Sequence, residues 1–70
     1  MYQSDAKAIE EFLAKIGHDS YKEMFVENDM DLEMLKEMNS KGNLREVMKD
    51  IGIASFGHQH EIIEGVKQLG

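Results

Sequence analysis

There is no cysteine, no proline and no tryptophan anywhere in the 70 residues. Without cysteine, no disulfide can staple a small domain, no thiolate can bind zinc and no thiol can attack a substrate. That usage suits a reducing compartment, and a cytoplasmic location is the expectation. Without proline, no position is barred from a helix interior. β-Branched residues never gather in alternating runs, so no strand pattern appears. No apolar run approaches the roughly 20 residues that a membrane-crossing helix needs. No basic start followed by an apolar core marks a signal peptide. Positive charge is scarce as well: 8 Lys and Arg stand against 14 Asp and Glu, a net charge of −6. Nucleic acids and anionic membrane surfaces attract clustered bases, so both are disfavoured as partners. The charge favours a basic partner surface, or serves simply for solubility.

A chain this short buries only about 60% of the surface its unfolded form exposes. It makes one domain at most, held by packing alone. The expectation is a single domain over 1–70, with its core at about 9–69, cut from a longer protein.

Residues for chemistry are present but badly placed. Ser4, Ser20, Ser40 and Ser55 fall at helix starts or in loops, where capping accounts for them. His58 and His60 are two apart, so on a helix they diverge by about 200° and cannot share an ion. His18 lies in another segment. The acids from Glu27 to Glu33 invite a calcium-loop reading, which needs glycine at position 6 and glutamate at position 12. Counting from Asp29 these are Met34 and Ser40; counting from Glu27 they are Leu32 and Met38. Both registers fail. No Gly-rich phosphate loop is present either. The expectation is no enzyme, no cofactor and no metal.

Leu, Met, Glu and Lys, all good helix formers, dominate instead. Ser4 and Asp5 are candidate caps for a first helix, in which Ile9, Phe12, Leu13 and Ile16 fall at i, i+3, i+4, i+7, one apolar stripe. Gly17 stands where a left-handed terminal residue is expected. Asp19 or Ser20 is the expected cap of a second helix bearing Tyr21, Met24 and Phe25, broken at Asn28 and Asp29. A third helix starts at Asp31, with Leu32, Leu35 and Met38 inward. The stretch 39–43 reads as the clearest loop. A fourth helix runs over about 43–50 with Leu44, Val47, Met48 and Ile51, and Gly52 ends it. Ile53 reads as a core plug. The last and longest helix starts near Ser55 to Gly57, with Ile62, Ile63, Val66 and Leu69 on its apolar face. Gly65 inside it marks either a close approach of another helix or a harmless exposed position. The six methionines read as adaptable core fillers. The fold expected is all-α: a compact bundle of five helices with a long C-terminal one.

The order of these pieces resembles the sterile alpha motif (SAM) domain. The stretch IEEFLAKIGHDSY (9–21) looks like the family's opening apolar-x-x-aromatic-Leu-x-x-apolar-Gly. Tyr21 and Phe25 match its Y-x-x-x-F, and Met34-Leu35 stands at its usual double leucine. The most specific piece is DIGIASFGHQHEII (50–63), similar to the family's apolar-Gly-Ile-x-x-x-Gly-His before the last helix. Within the family, GIASFGHQHEIIEGVKQL is most similar to the tankyrase-type SAM domain. The segment between Leu35 and Met48 is longer than the usual pattern, so an enlarged loop or a longer fourth helix is expected there.

The resemblance implies a non-catalytic protein–protein interaction module of a scaffold or signalling protein. It implies association with another SAM domain, self or partner, through an acidic mid-loop face and a second face at the start of the fifth helix. Glu27, Asp29, Asp31, Glu33 and Glu37 map onto the first face. Ser55, Phe56, His58, Gln59 and His60 map onto the second, where Gln59 and Glu61 replace the bases that the family often carries. A weak head-to-tail oligomer, or pairing with a SAM domain whose end-helix face is basic, is the expectation. Two other readings stand beside it: a SAM domain that binds RNA hairpins, and a monomeric helical bundle without a SAM partner.

Overall fold

The computed structural model describes the backbone of residues 4–69 and the side chains of 7–69. Among the described residues five α-helices follow one another: α1 Ser4–Lys15, α2 Lys22–Glu27, α3 Leu32–Lys41, α4 Leu44–Ile51 and α5 Phe56–Leu69. A single 3-10 turn, Asp19–Tyr21, leads into α2. No strand occurs among the described residues. The all-α reading with a long last helix holds.

Four helix ends repeat one device. Gly17, Asp29, Gly42 and Gly52 all take left-handed backbone angles, with φ of 83°, 55°, 84° and 115°. After each, the next amide turns back five residues: His18 N–H to Leu13 O (2.8 Å), Met30 N–H to Phe25 O (2.9 Å), Asn43 N–H to Met38 O (3.1 Å) and Ile53 N–H to Met48 O (2.9 Å). This is the Schellman closure, which satisfies carbonyls that a helix end leaves free. It also reverses the chain, so the residue after the turn points back at the bundle. Three of those four residues, His18, Met30 and Ile53, are buried. Asp29 is the one left-handed residue of these that is not glycine, a conformation that Asp tolerates better than most residues.

The core draws on all five α-helices: Ile9, Phe12 and Leu13 from α1, Phe25 from α2, Leu35 from α3, Leu44 and Met48 from α4, Ile62 and Val66 from α5, with Met30 and Ile53 from the links. Ile53 is fully buried, as a core plug should be. Gly65 is a close approach: a Cβ built there would lie 3.1 Å from the Phe12 ring and 3.3 Å from Ile16 Cγ2. Leu69, expected on the apolar face, is 39% exposed.

Two local expectations are corrected. Asp19 and Ser20 do not cap α2. They form the 3-10 turn, and α2 starts after Tyr21 with no side-chain cap. The stretch 39–43 is not a loop, because α3 continues to Lys41 and only Gly42 and Asn43 join it to α4. The extra length of this segment therefore lengthens α3 rather than α4 or a loop. A Glu37–Lys41 pair at 3.4 Å, spaced i,i+4, supports that last turn, and Lys41 suits the negative end of the helix. Asp31 does cap α3: its Oδ1 accepts the Met34 N–H at 2.9 Å. Capping at the start of α1 lies outside the described residues.

Candidate protein-interaction site

The start of α5 gathers side chains from three parts of the chain. Ser55 precedes the helix; its carbonyl accepts the Gln59 N–H at 3.0 Å and its hydroxyl accepts the His58 N–H at 3.4 Å. Phe56, the first helical residue, is 70% exposed. That exposure places the ring on the surface and not against α1. Above its ring lies a cation: Arg45 Cζ of α4 is 4.2 Å from the ring centre, within cation–π range.

Arg45 is held from a second side. Its Nη1 donates to Gln59 Oε1 at 3.3 Å, and Gln59 Nε2 donates to the carbonyl of Ile53 at 2.6 Å. Gln59 is only 3% exposed, which corrects its expected surface position. Its spacing carried the signal: residues 59, 62 and 66 fall at i, i+3, i+7, so Gln59 continues the buried stripe of Ile62 and Val66. There it satisfies a backbone carbonyl that the turn at Gly52 leaves without a helical donor.

The histidines divide into roles. His18 is buried, and its Nε2 donates to Glu61 Oε1 at 2.5 Å. His58 Nδ1 and the Tyr21 hydroxyl share a hydrogen bond at 2.6 Å. The His18 and His58 ring centres are 4.7 Å apart. His60 is exposed. Among the described residues no three His, Asp or Glu side chains are placed to hold a metal ion.

The five acids of the other expected face differ in availability. Glu33 pairs with Lys36 at 3.3 Å and Glu37 with Lys41 at 3.4 Å. Asp31 is half-buried and occupied as the α3 cap. Glu27 and Asp29 are exposed at the corner between α2 and α3 and make no ion pair among the described residues. Glu27 also borders an open depression shared with Glu10, Lys22, Glu23 and Val26.

The sequence profile described as SAM domain (sterile alpha motif) matches residues 3–69, nearly the whole chain. The chain belongs to the SAM domain family. No solved structure gives a significant match. SAM domains are in general protein-interaction modules without catalytic activity. In this SAM domain, four of the five residues expected at the start of α5 are exposed: Ser55, Phe56, His58 and His60. Sequence reading missed Arg45, which reaches this place from α4. No helix among the described residues is long and apolar enough to cross a membrane.

Proposed function

We propose that this SAM domain is a non-catalytic module that pairs with another SAM domain, its own kind or a partner's. It does so in a cytoplasmic scaffold or signalling protein. The two faces are the acidic α2–α3 corner, centred on Glu27 and Asp29 with Glu33 and Glu37 behind them, and the start of α5 with Ser55, Phe56, His58 and His60. The observation that carries this reading is Phe56. An aromatic ring that is 70% exposed beside a cation is the composition that dominates interface energies. Opposite charges on the two faces would steer the encounter and fix its register. Because the faces differ, the contact is heterologous and need not close, so it propagates as a chain of copies.

Sedimentation velocity on the purified domain, over a concentration series at low and high salt, tests the proposal. Oligomers that grow with concentration and shrink with salt are expected for self-pairing. A monomer throughout, together with no binding to a SAM domain bearing a basic end-helix face, would remove it.

A further inference from the structure

We propose that Arg45 supplies the positive charge of the α5 face and makes that face select a carboxylate, the occupant being the Glu27–Asp29 corner of a second copy of this chain. The inference rests on the pairing mode proposed above and names its charge-reading residue. The exposed positions that open α5 carry no fixed positive charge: they are Ser55, Phe56, Gly57, His58, His60 and Glu61. Arg45 alone among Lys and Arg is fixed at this place, stacked on Phe56 and hydrogen-bonded to buried Gln59. A guanidinium held on two sides loses less rotamer freedom when it binds, so more of the contact appears as affinity. No ion pair occupies it among the described residues, and its remaining N–H groups suit the fork geometry of a carboxylate.

The choice of carboxylate follows by elimination on the acidic face. Asp31 is committed to the Met34 amide. Glu33 and Glu37 are each paired with a lysine. Glu27 and Asp29 remain exposed and unpaired among the described residues. Glu27 is the last residue of α2, and Asp29 is the left-handed residue of the corner that follows it. Among the described residues, the chain thus carries a positioned cation with no anion and two anions with no cation.

The test is a complementation by mixing, read by sedimentation velocity at low salt. Arg45→Glu should disable only the α5 face. Glu27→Lys combined with Asp29→Asn should disable only the acidic corner; Asn keeps the left-handed conformation without strain. Each variant alone should weaken self-association by about tenfold or more, about 1.4 kcal/mol, and an equimolar mixture should give a one-to-one complex. Arg45→Gln, which keeps a polar side chain and introduces no acid at this half-buried position, should repeat the loss with the wild-type melting temperature. Phe56→Asp separates the two levels of the claim. If Phe56→Asp abolishes association but Arg45→Glu and Arg45→Gln associate as wild type does, the pairing face stands and the assignment of Arg45 is wrong. If the wild type does not self-associate, a second copy is not the occupant and this inference falls, whether or not the domain pairs with another SAM domain. If the wild type self-associates and none of the variants changes it, the pairing mode fails and the assignment falls with it.

Discussion

His18 Nε2 lies 2.5 Å from Glu61 Oε1, joining two residues 43 positions apart. One follows the turn that ends α1; the other sits in the second turn of α5. Beside this contact, Tyr21 and His58 make a second bridge at 2.6 Å. Together they tie the corner between α1 and α2 to the first turns of α5. They fix the direction in which Phe56 and His60 are presented.

Removal of His18 should therefore cost stability. His18→Ala leaves a cavity at a buried position and strips Glu61 of its donor, a loss of about 1–2 kcal/mol. Glu61→Ala should cost less, since the His18 side chain, 10% exposed, stays packed and only its Nε2–H loses an acceptor. Urea unfolding of the two variants checks the order. Equal losses would mean that the contact, and not the burial of the ring, sets the effect.

Gly65→Ala should destabilise the domain although alanine favours helix. The propensity gain is about 1 kcal/mol. Against it stands a Cβ 3.1 Å from two atoms of the Phe12 ring, and overpacking a core costs about 1–3 kcal/mol. Phe12 is nearly buried and has little room to move. The expected net loss is about 1 kcal/mol in thermal or urea unfolding. Phe12→Leu combined with Gly65→Ala should give non-additive values, because the two changes share one space.

Gln59→Ala should lower stability by about 1–2 kcal/mol, since the carbonyl of Ile53 would lose its buried donor. The same change frees Arg45 from one of its two supports, so self-association should weaken as well. Arg45→Gln should weaken association alone. Chemical denaturation and sedimentation on both variants separate the two effects.

Asp31→Ala should cost about 1 kcal/mol through the lost α3 cap. Asp29→Asn should leave stability nearly unchanged and weaken association. Of the five acids on this face, Asp31 is thus the poorest probe of binding, and a melting curve shows why.

Much of this was legible in the sequence because helix faces and helix ends announce themselves locally. The i, i+3, i+4, i+7 spacing of Ile9 to Ile16 and the glycines at 17 and 52 required no tertiary knowledge. Gly65 was read correctly as one of two alternatives, and only the Phe12 ring decided between them. The stretch 39–43 misled because Asn, Ser and Gly together signal a turn, while the Glu37–Lys41 pair lets α3 run on to the glycine. Gln59 misled because a polar residue in an apolar stripe reads as surface unless a carbonyl needs it, and the need of Ile53 arises from the turn at Gly52. Arg45 was invisible as part of the α5 face, since its partners are 11 and 14 residues away and only the packing of α4 on α5 brings them together.

The most direct test of the central claim is a set of backbone amide NMR spectra of the domain, recorded over rising concentration at low salt. Two separate clusters should shift: Arg45, Phe56 and His60 in one, Glu27 and Asp29 in the other, both reversing on addition of salt. Spectra that do not change with concentration, or shifts confined to the outer face of α1, would contradict head-to-tail pairing through these two surfaces.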